Sequence, residues 1–409
     1  MNSVDEKSCA ERSRSIPEGW VETTLEDSVT KLGDGLHGTP KYSDDGEYFF
    51  INGNNLNDGK IEIKKETKRC SNEEFEKYKK NLNSRTILVS INGSLGYFAY
   101  YNNEKCFLGK SACYFNVKES ISKRFIGYQI RTKYFQKYIE RLAGGTTIKN
   151  VSLKTMREFP FIIPKELEEQ KAIAKVLTAF DDKIENLNAQ NHTLEQTAQT
   201  IFKEWFGKYQ IDDELPEGWR VGKLSEIANF LNGLALQKYP PKIGQETLPV
   251  IKIRELKQGI TSQTDKANTE LDEKYIIDNG DILFSWSGSL EVVIWQHGKG
   301  ALNQHLFKVT SEVYPKWFYY YWIIHHLNNF RGIASSKATT MGHINRKHLD
   351  LAEVIIPNEE AFKDLNHLFN PLIKKLELNN SQIQTLTKTR DTLLPKLMRG
   401  ELRVNGFKK

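Results

Sequence analysis

The sequence predicts an α+β protein with two similar globular domains separated by two long helices. The helices are expected to form an antiparallel coiled coil, with a pseudo-twofold relation between the halves. Three observations predict this architecture: an internal repeat, short strand-like runs inside each repeat, and an unbroken heptad pattern after each of them. The predicted order is a flexible tail at 1–15, a first globular domain at 16–164, a first spacer helix at 165–208, a second globular domain at 209–357, a second spacer helix at 358–403 and a tail at 404–409.

The internal repeat is visible in motifs that return in the same order. Three of them are Ile16–Trp20, which returns as Leu215–Trp219, Ile87–Leu95, which returns as Ile282–Leu290, and Phe161–Pro164, which returns as Val354–Pro357. The offset decreases from 199 residues (Trp20 to Trp219) to 193 residues (Pro164 to Pro357). An offset that drifts while the order is preserved indicates that a complete domain was duplicated and that its loops were then shortened.

Each globular domain has the sequence pattern of a mixed fold. Strand-like runs such as Tyr48–Ile51, Thr86–Val89 and Leu248–Ile251 are flanked by Gly, Asn and Asp, which favour turns. Helical stretches are also present, for example Ile126–Leu142 and Trp317–Phe330. We therefore predict an α+β fold for each domain.

The segment after each globular domain carries a strict 3.5-residue period, which is typical of a coiled-coil seam. The seam positions of the first segment are Ile173, Leu177, Phe180, Ile184, Leu187, Asn191, Leu194, Ala198, Ile201 and Trp205. Those of the second are Leu365, Phe369, Leu372, Leu376, Asn379, Ile383, Leu386, Arg390, Leu393 and Leu397.

Two matched seams in one chain are expected to pair with each other. Each seam contains one asparagine, Asn191 or Asn379, a polar core residue of the kind that fixes the register at a cost in stability. The alternative is two separate amphipathic helices, each lying on its own domain. Pro371 and Pro395 predict a kink or a late start in the second helix.

Composition sets wide limits on function. The chain has 409 residues, a net charge of +6 and 11% aromatic residues, which permits nucleic-acid binding without requiring it. The four cysteines (Cys9, Cys70, Cys106, Cys113) lack the spacing of a zinc site, so we expect free thiols in a reducing compartment. The polar residues 1–15 are unlike a signal peptide, and no apolar run reaches the roughly 18 residues of a membrane span. We expect a soluble, cytoplasmic protein that does not enter membranes.

The doubled motifs resemble the specificity subunit of a type I restriction–modification system. The resemblance covers nearly the whole chain, residues 16–403, and depends on the repeated order more than on any single motif. Within the helical segments it is carried by Ile184–Asn191, Leu194–Ala198, Phe202–Phe206 and the closing Leu393–Leu402.

The resemblance implies a non-catalytic protein. Each globular part would be a target recognition domain that reads one half of a bipartite sequence in double-stranded DNA. The two helices would pack antiparallel, hold the domains at a fixed separation and dock two methyltransferase subunits, and restriction (translocase) subunits would join them. The resemblance places S-adenosylmethionine, ATP and magnesium on those partner subunits and no cofactor in this chain.

The residues themselves agree with a non-catalytic chain. The sequence has no GxxxxGK[ST] phosphate loop and no Asn/Asp-Pro-Pro-aromatic motif, although Tyr239-Pro240-Pro241 has the prolines. Glu62-Ile63-Lys64 and Glu255-Leu256-Lys257 match half of a nuclease site, but such triplets are common in a chain that is 27% charged. The histidines at 325, 326, 343 and 348 form no ligand set with carboxylates, which favours structural roles.

Polar residues on predicted loops are the candidates for DNA contact, because base edges and phosphates are bound by Arg, Lys, Asn, Gln, Ser and Thr. The candidates in the first domain are His37, Thr39, Lys41, Tyr42, Asn52, Asn54, Asn92, Ser94 and Lys110. Those in the second domain are Gln237, Lys238, Tyr239, Lys252, Arg254, Trp286, Ser287, Asn303, Gln304 and His305. Any one of them could instead be an ordinary turn residue.

Matching positions with different side chains suit two domains that read different bases. Asn52 and Asn54 of the first domain correspond to Lys252 and Arg254 of the second, and Arg254 is the expected guanine reader. The Thr146-Thr147 and Thr339-Thr340 turns could be phosphate clamps or turn caps.

A second function class stays open. A coiled-coil structural adaptor whose globular ends bind proteins would have the same repeat and the same helices. Salt separates the two hypotheses, because binding to DNA weakens by orders of magnitude as salt rises and an apolar protein interface does not.

Overall fold

The structure is a computed structural model that describes residues 16–145, 148–209, 214–261, 263–336, 342–404 and 406. The described chain divides into two compact units. The first unit runs to Asp182 and resumes at Thr387, and the second unit is Lys183–Leu386. Both divisions fall inside long helices, so each unit combines a globular domain with part of each helix. The predicted tail at 1–15 and most of that at 404–409 lie outside the described residues.

Small sheets form the framework of the first unit. In spatial order, one sheet contains Val29–Asp34, Ala112–Val117, Thr86–Ser90 and Phe98–Tyr100, and another contains Arg69–Cys70, Tyr48–Ile51 and Cys106–Leu108. Trp20–Thr24 pairs with Pro160–Pro164, and Leu56–Asn57 pairs with Lys60–Ile61. Tyr48–Ile51 and Cys106–Leu108 run parallel, and the other pairs are antiparallel. The strands predicted at Tyr48–Ile51 and Thr86–Val89 are thus confirmed.

The helices of the first globular domain are short. They span Leu25–Ser28, Asn72–Tyr78, Lys123–Arg131, Lys133–Leu142 and Leu153–Arg157, with a 3₁₀ turn at Gly53–Asn55. The stretch predicted as one helix from Ile126 to Leu142 is two helices. Thr132 separates them in an extended conformation and caps the second, because its hydroxyl accepts a hydrogen bond from the Phe135 amide at 3.2 Å.

The second unit repeats this framework. One sheet contains Asn229–Asn232, Leu306–Thr310, Ile282–Ser285 and Val292–Ile294, and another contains Lys266–Asn268, Thr247–Ile251, Gly300–Leu302 and Ile276–Ile277. Arg220–Lys223 pairs with Glu353–Ile356. Its helices span Leu224–Ile227, Ile253–Gln258, Lys316–Ser336 and Arg346–Asp350, with 3₁₀ turns at Leu236–Lys238 and Glu273–Tyr275. The predicted strand at Leu248–Ile251 and helix at Trp317–Phe330 are confirmed within these bounds.

The motifs that open and close each repeat are joined in the fold. The opening Pro-Glu-Gly-Trp is a β-turn in both domains: the Trp20 amide donates to the Pro17 carbonyl and the Trp219 amide to the Pro216 carbonyl, both at 3.0 Å. The turn requires a left-handed residue at its third position, and glycine supplies it (φ +79° at Gly19). The strand that follows pairs with the closing strand, with Trp20 opposite Pro164. Each repeat is therefore closed on itself.

The core of each unit includes residues from both long helices, Leu167–Phe206 and Glu359–Met398. In the first unit the buried cluster contains Ile173 and Leu177 together with Leu394 and Leu397. In the second unit the corresponding helix residues are Ala198, Phe202, Phe206, Leu365 and Phe369, which pack with the aromatic face of Lys316–Ser336. Burial of these side chains stabilises each unit by roughly 1.5–3 kcal/mol per large residue.

The predicted heptad seams are confirmed as the less exposed face of both long helices. All twenty seam positions are buried or half-buried. The helices run antiparallel in the first unit, where Asp181 contacts Arg390 and Glu169 contacts Arg403. In the second unit Asn191 contacts Asn379. The late start expected from Pro371 is wrong, because the second helix is one run from Glu359 to Met398 that includes both prolines.

The seam asparagines bond to each other. Asn379 Nδ2 donates to Asn191 Oδ1 at 2.9 Å, and Asn191 Nδ2 donates to Asn380 Oδ1 at 2.7 Å. Asn379 is fully buried, and its Oδ1 has no hydrogen-bond partner among the described residues. A shift of the register by one residue would leave further buried amide groups unpaired, so this pair favours one alignment of the helices.

A second polar group ties the helices together in the first unit. Asp181 accepts hydrogen bonds from Arg131 at 2.9 Å, from Arg390 at 2.8 Å and from the Tyr128 hydroxyl at 2.7 Å. Burial alone would raise the pKa of the Asp181 carboxyl, but Arg131, Tyr128 and Arg390 together hold that pKa below its usual value. The seam position at Arg390 is therefore filled by a cation because the facing helix supplies a carboxylate.

We predict that Asn191→Leu destabilises the protein. Loss of the Asn191 side-chain oxygen removes the acceptor that lies 2.9 Å from the buried Asn379 Nδ2. Leaving that N–H group unpaired costs about 1–3 kcal/mol. The double variant Asn191→Leu/Asn379→Leu removes both polar groups and should recover wild-type stability or exceed it. Urea unfolding followed by circular dichroism measures both. Equal stability of Asn191→Leu and wild type would contradict the assignment of the pair.

We predict that Asp181→Asn destabilises the first unit and removes part of the acid sensitivity of the protein. The folded pKa of Asp181 is depressed, so its contribution is present above the unfolded pKa, about 3.9, and is lost as pH falls through the folded value. The stability difference between wild type and Asp181→Asn should therefore shrink between pH 5 and pH 3. The control is Asp45→Asn in the same unit, whose carboxylate is exposed. A difference that is independent of pH would contradict this role.

Candidate nucleic-acid interface

The candidate residues of the first domain lie where parallel strands end. Tyr48–Ile51 and Cys106–Leu108 end side by side, with Ile51 opposite Leu108. The Leu36 amide donates to the Leu108 carbonyl at 2.7 Å, which brings the polar loop 33–42 to the same place. We call the ends of these two strands, with that loop, the strand-end edge of the first domain. Side chains from three separate stretches of sequence meet there.

Three of the predicted residues line one concave pocket of about 310 Å³ at this edge. His37 comes from the loop, Asn92 follows the strand Thr86–Ser90, and Lys110 follows Cys106–Leu108. His37 Nε2 contacts Asp34 Oδ2 at 2.5 Å, and Asp34 also lines the pocket. The pocket thus presents an amide, an ammonium and an imidazole to solvent, the groups that bind base edges and phosphates.

Asn52 and Asn54 lie on the turn after Tyr48–Ile51. Asn54 is exposed, and Asn52 is half-buried, with its Oδ1 accepting a hydrogen bond from Ser111 at 2.8 Å. The buried Asn55 holds this turn with two hydrogen bonds. Its Oδ1 accepts a hydrogen bond from the Asn52 amide at 3.0 Å, and its Nδ2 donates one to Thr67. The turn is therefore rigid, and Asn54 faces solvent from it.

The remaining candidates of the first domain are exposed at or beside this edge. They are Thr39, Lys41, Tyr42 and Ser94. The Tyr42 ring is 47% exposed, and the Lys68 ammonium lies 6.0 Å from its centroid. Lys68 and Arg69 were not among the predicted residues. The run Lys64-Lys65-Glu66-Thr67-Lys68-Arg69 was the sequence signal that could have identified them.

The second domain forms an equivalent strand-end edge. Thr247–Ile251 and Gly300–Leu302 are parallel, with Ile251 opposite Leu302, and the Leu234 amide donates to the Leu302 carbonyl at 3.0 Å. The loop begins at a glycine for a steric reason. A Cβ on Gly233 would lie 2.3 Å from the Asn303 carbonyl oxygen, as one on Gly35 would lie 2.2 Å from that of Leu108. The predicted correspondence of the two domains is therefore present in their backbones.

A half-buried tryptophan organises the second edge. Trp286 Nε1 donates to Asn232 Oδ1 at 2.8 Å and to the Gln304 carbonyl at 3.1 Å. Its ring lies 5.7 Å from the His305 ring. These contacts bring together residues from three predicted stretches and leave part of the indole face accessible, as a surface for stacking or apolar contact requires.

Two predicted residues of this cluster lie below the surface. Ser287 and Asn303 are each 3% exposed. The Ser287 hydroxyl lies 2.9 Å from His305 Nδ1, and Asn303 Oδ1 accepts the His305 amide at 3.3 Å. They orient His305 and Gln304, which are half-buried and reach the surface. The prediction that Ser287 and Asn303 contact a ligand themselves is therefore not supported by their burial.

Gln237 and Lys238 are exposed and Tyr239 is half-buried on the loop of the second edge. The tyrosine backbone is held by the Leu236 carbonyl at 3.0 Å. This loop thus offers an amide and an ammonium at the position of the His37 loop in the first domain.

Lys252 and Arg254 occupy the turn that corresponds to Asn52 and Asn54. The match extends to hydrogen bonds: the Lys252 amide donates to Glu255 Oε2 at 3.1 Å, as the Asn52 amide does to Asn55. Lys252 Nζ contacts Asp265 Oδ2 at 2.5 Å.

The guanine-reading role of Arg254 stays a prediction, and the structure shows a second role for this side chain. Its Nε donates to Glu255 Oε1 at 2.9 Å, and its Nη2 donates to the Gln263 carbonyl at 2.9 Å. Glu255 is fully buried, so the Arg254 cation neutralises a carboxylate that has no contact with water. The Nε–Nη2 edge of the guanidinium is therefore bonded within the protein and supports Glu255, while the side chain stays 45% exposed.

Other groups noted in the sequence do not belong to these edges. Burial lowers the pKa of His326 to about 4, and its ring bonds to the Glu353 carbonyl at 2.7 Å, so it is a neutral structural residue at pH 7. Thr146, Thr147, Thr339 and Thr340 lie outside the described residues. Within the described ranges, no group of three or more His, Cys, Asp or Glu side chains could hold a metal ion, and no helix is long and apolar enough to cross a membrane.

Comparison with known proteins adds independent information. Residues 17–196 and 216–388 each match the family model for the type I restriction modification DNA specificity domain. The chain is 28% identical over 388 residues to the specificity subunit of the type I restriction enzyme MjaIX of Methanocaldococcus jannaschii, covering 90% of this chain and 86% of that protein. It is 22% identical over 347 residues to the HindI specificity subunit of Haemophilus influenzae, covering 66% and 74%.

A solved structure shares the fold. The crystal structure of the type I restriction–modification S subunit from Mycoplasma genitalium aligns with a TM-score of 0.54 at 19% identity, covering 94% of this chain and 97% of that one. Together with the two family matches, this confirms the predicted fold class of two α+β domains with long helices.

We predict that Arg254→Ala destabilises the second unit. It leaves the buried Glu255 carboxylate without its cation, which costs about 1–3 kcal/mol. The double variant Arg254→Ala/Glu255→Asn reproduces the neutral residue that the first domain has at Asn55 and should regain most of that stability. Thermal unfolding measures both variants. No loss of stability in Arg254→Ala would contradict the supporting role.

Proposed function

The chain belongs to the type I restriction modification DNA specificity domain family, and from this premise we propose that it reads a bipartite target in double-stranded DNA. Each globular domain recognises one half of the target through its strand-end edge. The chain is the recognition subunit and not the modifying or cutting subunit, in agreement with relatives that are specificity subunits.

One observation carries the proposal: the same rigid edge is present twice, with different side chains at matching positions. The side chains of residues 55 and 255 hold the same turn, because each accepts the backbone amide of the residue three positions earlier. The exposed residues of that turn are Asn54 in one domain and Arg254 in the other. A conserved backbone with varied polar side chains is what recognition of two different base sequences requires, because the donor and acceptor pattern of base edges differs for each base pair.

The charge of the two edges supports binding to DNA. In the first domain Lys41, Lys68 and Lys110 are exposed at or next to the edge, and in the second domain Lys238 is exposed. Ammonium groups of this kind neutralise phosphates and release counterions, which supplies affinity without regard to sequence. The amide and imidazole groups beside them would supply discrimination between bases.

The long helices are proposed as the docking region for two methyltransferase subunits, with restriction (translocase) subunits joining that core. In support, each helix presents an exposed face opposite its seam. S-adenosylmethionine, ATP and magnesium would then be bound by those partners, consistent with a chain that has no GxxxxGK[ST] motif. A complex that modifies chromosomal DNA would act in the cytoplasm.

We predict that replacing residues 16–164 by the corresponding domain of another specificity subunit changes one half of the target only. The two edges use different side chains on separately closed repeats, so each should read its bases independently. Genome-wide mapping of methylated adenine in strains with the parent and the exchanged chain measures the result. The control is the reciprocal exchange of residues 214–357, which should change the other half.

Simultaneous change of both halves would contradict independent readout. Absence of any methylation that depends on this chain, together with protein binding that is insensitive to salt, would favour the structural adaptor instead. Binding to DNA should weaken steeply from 50 to 200 mM salt, with a slope near −0.9 for each phosphate contacted.

A further inference from the structure

The two strand-end edges differ in charge at a position that the sequence repeat does not reveal. In the first domain the Phe50 amide donates to the Lys68 carbonyl at 2.9 Å, and in the second the Val250 amide donates to the Asp265 carbonyl at 2.7 Å. Phe50 and Val250 occupy equivalent places, each one residue before the end of the parallel strand. Lys68 and Asp265 are therefore the same structural position with opposite charges.

Neighbouring contacts confirm that the two positions are equivalent. The residue before each is a threonine that supports the turn: Asn55 Nδ2 donates to Thr67 Oγ1 at 3.0 Å, and Thr264 Oγ1 donates to Glu255 Oε1 at 3.1 Å. The same threonines also accept a backbone amide from three residues earlier, at 2.8 Å and 2.9 Å. The backbones of the two edges thus coincide while the side chains at 68 and 265 do not.

The side chain at this position has a different neighbour in each domain. Asp265 Oδ2 contacts Lys252 Nζ at 2.5 Å, and the two side chains are 61% and 40% exposed. The hydrogen bond from Lys252 holds the pKa of the Asp265 carboxyl below its usual value, so the carboxylate is ionised at neutral pH. In the first domain Lys68 lies over the Tyr42 ring, and Asn52 bonds to Ser111. At this pair of positions the second edge has an ammonium beside a carboxylate, whereas the first edge has an amide and an ammonium.

We propose, on the basis of the function proposed above, that Lys252 and Asp265 together read one G·C base pair in the major groove of the second half-site. Lys252 donates to guanine O6 and N7, and Asp265 accepts from cytosine N4. These pairings are the ones that lysine and aspartate make with bases. Guanine O6 and cytosine N4 are themselves hydrogen-bonded, roughly 3 Å apart, which matches the separation of the two side-chain groups.

The exposed pair is better explained by recognition than by folding or by phosphate binding. An exposed ion pair contributes little to stability because water screens it. A site built only for phosphate would not contain a carboxylate, since a second anion repels the DNA backbone. Among the described residues, Lys252 uses one of its three N–H groups in this contact and Asp265 one of its two oxygens, so both can bind a base while paired.

The second domain contains a matched ion pair for comparison. Lys242 Nζ contacts Glu270 Oε1 at 2.6 Å, and those side chains are 49% and 58% exposed. Glu270 follows the strand Lys266–Asn268, whose Asn268 is opposite Thr247, so this pair lies toward the other end of the central strand. It has similar chemistry and exposure to the proposed reading pair, but it does not lie at the ends of the two parallel strands.

The experiment is selection of bound duplexes from a library with randomised half-sites by the full chain, as wild type, Asp265→Ala and Glu270→Ala. For wild type we expect a bipartite site with a G·C pair in the second half. Asp265→Ala should lower the preference for that G·C pair by roughly ten- to a hundredfold and leave the first half unchanged. Affinity for duplexes that lack this G·C pair should hold or rise, because a negative charge near DNA is lost. Glu270→Ala should select the wild-type site.

Other outcomes distinguish a wrong assignment of Lys252 and Asp265 from a wrong proposed function. If wild type selects a bipartite site and Asp265→Ala selects the same site, the reading pair is wrong and the proposed function stands. The reading pair is equally wrong if Asp265→Ala weakens binding to all sequences alike, or if the relaxed position is an A·T pair. If wild type selects no site, both proposals fall. Thermal unfolding of Asp265→Ala within the range of wild type shows that the selection reports recognition and not misfolding.

Discussion

The antiparallel pairing of the two long helices is the interaction on which the rest of the structure depends. The core of each unit is completed by a segment from both helices, for example Ile173 with Leu397 in the first and Phe202 with Phe369 in the second. The first unit is therefore not a continuous stretch of chain, since it needs the residues from Thr387 onward. Closing so long a loop costs entropy before any contact is gained, and burial of the apolar seam offsets that cost. The polar contacts of Asp181 and Asn191 add selectivity, because they form in one alignment of the helices only.

In both globular domains the backbone of the strand-end edge is the same, and the side chains that it carries differ. The edge is held by main-chain hydrogen bonds, such as those of Leu36 and Leu234, and by buried side chains such as Glu255. The residues carried on it, at positions 52 and 252 or 68 and 265, point to partners that differ between the domains. A fold with this division of roles can acquire a new surface chemistry without a new core, which fits a family whose members are specificity subunits.

The candidate site was predictable in outline and not in detail. The sequence predicts His37, Asn92 and Lys110 as loop donors, and all three line one pocket in the structure. Ser287 and Asn303 were selected for the same reason, but they are buried beneath His305. A polar residue at a turn has the same local sequence whether it faces solvent or supports a neighbour, so local pattern cannot distinguish the two. The sequence does not identify Lys68 and Asp265 as equivalent positions. Each precedes a strand of only two or three residues, and such a strand is too short to align the two repeats by sequence.

What the sequence determined by itself is the set of features encoded by near neighbours. The 3.5-residue period specifies both helices and their buried faces, and Pro-Glu-Gly-Trp specifies the turn at the start of each repeat, because the positions of apolar side chains and the backbone freedom of glycine act within a few residues. Only the tertiary structure decided which residues that are distant in sequence contact each other. The partner of Arg254 is a buried carboxylate, Pro371 continues a helix, and the two halves of each long helix belong to different units. These outcomes depend on strand register and on residues far away in sequence, where burial and hydrogen bonding outweigh local preference.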